Sequence, residues 1–239
     1  MVLRHWNARP RSPSRTCSPG RIALAIGSFA QPLWVRANVA AARRVLGRDV
    51  PILICDDCSP PEHLMILQDI AAEHDCRLHV NPFHSGHYAG DLEVLRTAIT
   101  WANELGCQHV FKVSQRTIPT RPNWARELAE QMAHDDSALA YQTEFGTRQV
   151  RTEFLGLHVP DWNSAQALAA LSEPFEGLLE TWFADICERL FPWRHTPIPW
   201  LSRFRFRENP NVLSYYGMGF EPAAALVRNL TGQEIDSNS

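Results

Sequence analysis

The stretch that reads most directly as chemistry is Ile52-Leu53-Ile54-Cys55-Asp56-Asp57-Cys58-Ser59, a short apolar run ending in two carboxylates and a small hydroxyl residue. At the end of a buried strand, a carboxylate can accept hydrogen bonds from a ring N–H or from sugar hydroxyls. The competing role is a cap on the next helix, for which Asp and Ser are well suited. Two acids stand where one cap would suffice, which favours a ligand. Cys55 and Cys58 in the same stretch form a C-x-x-C, a spacing used in dithiol exchange and in zinc sites. Zinc needs four ligands, and no second C-x-x-C or close pair of histidines supplies them. The six cysteines, at 17, 55, 58, 76, 107 and 187, are scattered and read as reduced thiols of a cytosolic protein. A thiol redox domain using Cys55 and Cys58 is the reading from a different class.

Elements that could position these residues follow from the periodicity. Residues 21–27 (RIALAIG), 51–55 (PILIC), 77–80 (RLHV), 108–113 (QHVFKV) and 137–142 (SALAYQ) read as strands. Between them lie helical patterns at 32–46, 60–74, 91–105 and 122–134, punctuated by Gly47 and Gly106, with Asp91 as an N-cap or first-turn acid. Proline at 60 and 61 suits a first helical turn, where its missing N–H has no partner to lose. Alternating strands and helices imply a mostly parallel sheet covered on both faces. Ligands of such sheets bind at the carboxyl ends of the strands. The loops at 27–31, 56–59, 81–90 and 114–116 are therefore expected to converge on one cleft. Beyond residue 142 the pattern loosens: a strand or hairpin at 148–158, helices at 164–171 and 177–190, and an arginine-rich aromatic stretch at 193–207.

The order of these features resembles the GT-A glycosyltransferases of the family-2-like kind. In that family the second strand ends in D-D-x-S and holds the nucleoside; Asp56-Asp57-Cys58-Ser59 matches it. A glycine-containing loop then opens a helix reading roughly N-x-G-I-x-x-A. Here Gly90 precedes Arg96-Thr97-Ala98-Ile99-Thr100-Trp101-Ala102, with Arg for Asn and Ala for Gly. The next strand of the family ends in D-x-D, with a Pro several residues on. Here Lys112-Val113-Ser114-Gln115-Arg116 precedes Pro119, in the right order but without the acids. The resemblance covers residues 21–142, and no motif extends it into residues 143–239.

The resemblance implies a GT-A-like, Rossmann-type α/β fold with a less regular C-terminal part. It divides the chain into a flexible basic tail (1–20), a nucleotide-binding half (21–145), and an acceptor-side half with a C-terminal extension (146–239). It implies a nucleotide-sugar donor held by Gly27, Ser28, Asp56, Asp57, Ser59, Gly90, Arg96, Lys112 and Ser114. The family's D-x-D holds a divalent metal, and hard cations of that kind need carboxylate oxygens. From residue 105 to 126 there is no Asp or Glu; the segment carries Lys112, which is the chain's single lysine, and Arg116 and Arg121. Fixed cations can stabilise the charge that develops on a departing diphosphate, and arginine grips phosphate oxygens in pairs. No cofactor is expected, neither manganese nor another divalent metal, with Arg116 or Lys112 in the metal's place.

The resemblance further implies inversion and a late general base, for which Glu180 and Glu176 are the main candidates, one helical turn apart. An acidic first helical turn is the competing role. Glu173 and Asp161, the latter beside Trp162, are further candidates. The loop His84-Ser85-Gly86-His87-Tyr88 either contacts donor or acceptor or is simply solvated. The acceptor is expected to be a glycan, a lipid-linked glycan or another hydroxyl, in polysaccharide biosynthesis; the stretch at 193–207 either grips it or is a strand with one wet and one buried face, and Tyr215 and Tyr216 either line its cleft or form a turn. A catalytically inactive nucleotide-sugar or glycan-binding module is the alternative. A net charge of -3 and pI near 6.4 give no basic face for nucleic acid. No run of about 18 apolar residues exists to span a membrane. Arg4, Arg9, Arg11 and Arg15 without an apolar stretch read as a tail that touches a membrane at most peripherally, on a cytoplasmic protein.

Overall fold

A computed structural model describes residues 20–143, 150–174, 177–198, 200–201, 211–214, 225–226 and 228–230. Four apolar runs form parallel strands, β1 (Ile22–Ser28), β2 (Ile52–Asp56), β3 (Arg77–Val80) and β4 (His109–Ser114). Every residue of β1 and β2 is buried, as near-continuous apolar strands covered on both faces must be. Next to β4 lies β7 (Val150–His158), antiparallel to it, followed by β6 (Leu139–Thr143) and β8 (His195–Pro197). The strand order among the described residues is β3-β2-β1-β4-β7-β6-β8. A separate pair joins β5 (Thr117–Pro119) to β9 (Val212–Ser214).

Helices cover both faces. On one face α1 (Pro32–Leu46), α2 (Pro61–Glu73) and α4 (Trp124–Asp135) pack Val35, Val39, Leu67, Ile70, Leu128 and Met132 against Leu24, Ile26 and Ile54 of the sheet. On the other face lie α3 (His87–Glu104), α5 (Val159–Trp162), α6 (Ala165–Ala170) and α7 (Leu179–Leu190). They bury Leu95, Ile99, Trp162 and Phe183 against Ala25, Leu53, Val110 and Leu155. Among the described residues, no helix is long and apolar enough to cross a membrane.

Three features of the fold matter for the site. Helix α3 begins at His87 rather than Asp91, because Gly86 takes a left-handed φ of 84° and turns the chain into the helix four residues early. Asp91 is therefore one turn inside the helix and is not its cap. The segment at 148–158 contributes a nine-residue strand in the middle of the sheet. The C-terminal edge of β1 is level with its neighbours, since Ser28 pairs in register with Asp56 and Gly27 with Ser114. This register brings three loops to one height.

Candidate functional site

A cleft of about 480 Å³ opens at the carboxyl ends of the parallel strands, around the point where the strand order reverses between β1 and β4. Its walls come from the turn after β1 (Ser28, Phe29), from Asp57 after β2, from His84 before α3, and from Ser114 and Arg116 after β4. The four loops expected to meet do meet here. Gly27, Gly90 and Asp91 also line the cleft.

The two aspartates have different surroundings. Asp56 is fully buried and turns back on its own loop, accepting from Ser59 N at 2.6 Å and Ser59 Oγ at 2.7 Å. Ser59 Oγ in turn accepts from Ala30 N at 2.8 Å. Asp56 and Ser59 thus tie the β1 and β2 turns together, and neither lines the cleft. Ala30 (φ 53°) and Cys58 (φ 63°) hold left-handed conformations in these turns. Such backbone is uncommon for residues with a Cβ and persists where surrounding bonds hold it.

Asp57 does line the cleft. Its Oδ1 accepts from Asn81 Nδ2 at 2.9 Å and Ser85 N at 3.0 Å, and its Oδ2 accepts from Gly86 N at 3.1 Å. His84 Nδ1 lies 2.8 Å from Oδ2 and 3.1 Å from the Asp57 carbonyl oxygen. Asp57 therefore organises the whole loop that enters α3. Close approach of α3 requires Gly90, because a Cβ there would stand 2.9 Å from Asp57 Oδ2. Gly90 serves the site by lacking a side chain, and that explains a glycine inside a helix.

The Ser114-Gln115-Arg116 turn is held from two sides. Asn38 of α1, fully buried, donates to Ser114 O at 3.2 Å and Thr117 O at 3.0 Å. Gln115 pairs with the Phe29 backbone, accepting from its N–H at 3.0 Å and donating to its carbonyl at 2.9 Å. Arg116 is half-buried at the cleft wall. Glu153 of β7, one position past the Val113–Phe154 pair and so beside this turn, also lines the cleft; it is bonded to Arg151 at 2.7 Å, and Arg151 also reaches Glu180 at 3.2 Å. Glu153 is not among the residues that the sequence singles out. Its signal lies in the alternation that puts Arg151 and Glu153 on one side of a strand, in a segment whose pattern is too loose to phase.

Several candidates lie elsewhere. Lys112 is wholly buried beneath the cleft, donating to Asp91 Oδ1 at 2.7 Å and Thr152 O at 2.6 Å. It does not reach the cleft surface, because β4 points it into the layer between sheet and α3. Arg96 lies away from the face of α3 that carries His87, Gly90 and Asp91, since five residues beyond Asp91 the helix has turned well past it. It donates to Leu171 O at 2.9 Å and pairs with Glu93. Glu180 lies behind Glu153, linked through Arg151, and does not line the cleft. Glu173 pairs with Arg189 on the surface. Asp161 sits beyond the end of antiparallel β7, at the sheet edge opposite the cleft, where Arg194 (2.8 Å) and His158 (2.7 Å) hold it. Burial raises the pKa of its carboxyl, but these two partners outweigh that and lower it. Glu176, Tyr215, Tyr216 and Arg203, Arg205 and Arg207 lie outside the described residues.

The carboxylates that reach the cleft are engaged by partners of their own. Asp57 is saturated by loop donors, Asp91 is paired with Lys112 and Thr152, and Glu153 is paired with Arg151. Among the described residues, no three His, Cys, Asp or Glu side chains are grouped to hold a metal ion. Cys55 is buried in β2, and burial, partly offset by the positive charge of Lys112, pushes its thiol up to about 12. Thiol exchange needs the thiolate, so this environment opposes redox use of the C-x-x-C.

No protein-family model matches the chain, and no curated protein matches it in sequence. Solved structures do match in shape. One is a mannosyltransferase from Pyrobaculum calidifontis in complex with GDP-mannose and Mn2+, at TM-score 0.58 and 11% identity, covering 82% of this chain and 60% of that one. Another is the bifunctional glycosyltransferase WbbM in its apo form, at TM-score 0.58 and 10% identity, covering 89% of this chain and 50% of that one. A third is the galactosyltransferase LgtC in complex with donor and acceptor sugar analogues, at TM-score 0.57 and 9% identity, covering 90% of this chain and 98% of that one. The chain spans less than two thirds of the length of the first two. With the parallel β3-β2-β1-β4 core, the antiparallel β7 beside it and the cleft at the strand ends, this chain has a GT-A-like fold.

Proposed function

We propose that the chain is a glycosyltransferase that moves a sugar from a nucleotide-sugar donor to a hydroxyl acceptor, and that it does so without a divalent metal. The observation that carries the reading is the meeting of Ser28, Asp57 and the Ser114–Arg116 turn at one strand-end cleft, with a guanidinium where the fold's acidic motif would stand. In this reading the diphosphate lies beside Arg116 and the α3 N-terminus. The bond from the sugar's anomeric carbon to the diphosphate oxygen breaks, and the acceptor oxygen bonds to that carbon. Arg116 stabilises the negative charge left on the diphosphate. The acceptor's proton passes to a carboxylate that lines the cleft, Glu153, with Arg151 and Glu180 setting its position.

Transfer to a mixed panel of hydroxyl acceptors, measured in excess EDTA, tests this. Full turnover in EDTA that falls at least about a hundredfold in Arg116→Ala supports the reading, that being the cost of losing one stabiliser of developing charge. Strict dependence on added manganese or magnesium refutes the metal-free half. The second reading, a nucleotide-sugar-binding module without turnover, is favoured by the engagement of Asp57, Asp91 and Glu153 in internal pairs. It predicts thermal stabilisation by a nucleoside diphosphate with no transfer under either condition.

A further inference from the structure

The roof of the cleft carries an arrangement that a donor site alone does not require. Phe29 follows β1 and His84 precedes α3, and their rings stack with centroids 4.1 Å apart and planes inclined by only 16°. The imidazole also places Nδ1 2.8 Å from Asp57 Oδ2. Both oxygens near Nδ1, that carboxylate and the Asp57 carbonyl, are acceptors only, so Nδ1 carries the hydrogen and donates. A planar heteroaromatic ring thus lies flat on Phe29 and directs a ring N–H into a buried carboxylate. Those are the contacts by which a nucleobase would be held: one aromatic face and one edge donor.

The surroundings are built to receive a ring. The Phe29 backbone is held by the two bonds to Gln115, neither of which involves His84. Asp57 keeps Asn81, Ser85 and Gly86 as donors when His84 leaves. His84, by contrast, has a side chain 49% exposed, against 8% for Asp57. The imidazole is far more open to solvent than the carboxylate it bonds, Phe29 beside it is 38% exposed, and the imidazole can swing outward while Asp57 stays.

We propose that His84 is an internal occupant of the base subsite: its imidazole rests on Phe29 and Asp57 in the place of a nucleobase, and the incoming base must displace it. This rests on the donor reading above. It also selects among bases. A carboxylate facing the ring edge favours a base with a ring N–H there, as uracil, thymine and guanine have. Cytosine and adenine present a bare ring nitrogen at the same edge, which repels a carboxylate.

The test is calorimetric binding of UDP, dTDP, GDP, CDP and ADP to the full chain and to His84→Ala, with His84→Ser as a second variant should alanine loosen the loop. The expected result is binding of the bases with a ring N–H over CDP and ADP, and a roughly threefold to tenfold gain in affinity when the competing side chain is removed. UDP and dTDP against GDP identify which ring fits. Loss of affinity in His84→Ala and His84→Ser overturns the proposal, because His84 is then a wall of the site. Unchanged affinity, or preference for CDP or ADP, overturns it as well. Imidazole added to His84→Ala separates the two layers of inference. If it raises the melting temperature of the variant and not of the wild type while no nucleotide binds either protein, the donor reading fails and the ring-shaped subsite stands. If nucleotides bind and the variant gains nothing, the donor reading stands and the stand-in role of His84 falls.

Discussion

Replacing Lys112 is the perturbation whose outcome the structure constrains most tightly. The side chain is 0% exposed and its ammonium makes bonds of 2.7 Å to Asp91 and 2.6 Å to Thr152 O. Asp91 also accepts from Thr152 Oγ1 at 2.8 Å and is 18% exposed. In Lys112→Met the apolar stem is largely replaced, but the carboxylate loses its cation and Thr152 O its donor. Breaking one side of a buried pair costs about 3–5 kcal/mol, because the other charge is left uncompensated. The partial exposure of Asp91 places the expectation at the lower end, about 3 kcal/mol. For a chain of this size each kcal/mol moves the midpoint by about 2–4 °C, so a loss on the order of 10 °C is expected by calorimetry or circular dichroism. Asp91→Asn added to Lys112→Met removes the stranded charge and should recover at least half the loss. A single variant that melts with the wild type would refute the ion-pair account. A double variant no better than the single would show that packing, and not charge, is what Lys112 supplies.

Gly90→Ala should weaken nucleoside diphosphate binding, since its Cβ would lie 2.9 Å from Asp57 Oδ2 and push that carboxylate off Ser85 and Gly86. Helix propensity alone would stabilise the variant by about 1 kcal/mol, so a thermal melt showing that full gain, with binding intact, would contradict the steric reading. Gly156→Ala places a Cβ 2.7 Å from Phe111 Cε1 in the fully buried core and should cost about 1–3 kcal/mol by overpacking, as measured by denaturant titration. His195 is desolvated by burial and its pKa is lowered from 6.5 to about 4, despite the nearby charge of Glu188. The unfolded chain takes up this proton first as pH falls, so the contribution is fully present above about 6.5 and is lost progressively down to about 4. The urea midpoint should fall through that window and fall less in His195→Phe; parallel profiles would assign the acid sensitivity to other groups.

Much of the architecture follows from local pattern. The apolar runs at 22–28, 52–56 and 109–114 are buried on both faces and can satisfy that only as central parallel strands. Gly47 and Gly106, both at positive φ, end the helices they follow. Because parallel strands with helical crossovers all point one way, the sequence alone determined that the turns after β1, β2 and β4 and the loop before α3 would share an edge. It did not determine which side chains turn inward. Asp56 and Asp57 are adjacent and alike, yet one folds back onto Ser59 and the other faces the cleft, a choice made by Asn81, Ser85 and Gly86 from 24 to 29 residues away. Lys112 and Arg96 are cations in the right order along the chain, but the pleat of β4 and the early start of α3 at Gly86 aim one beneath the cleft and the other away from it. Glu153 enters the cleft only because β7 inserts antiparallel beside β4. Periodicity states which face of an element is apolar, whereas the phase of that face against a partner distant in sequence is set by packing, and there the tertiary structure decided.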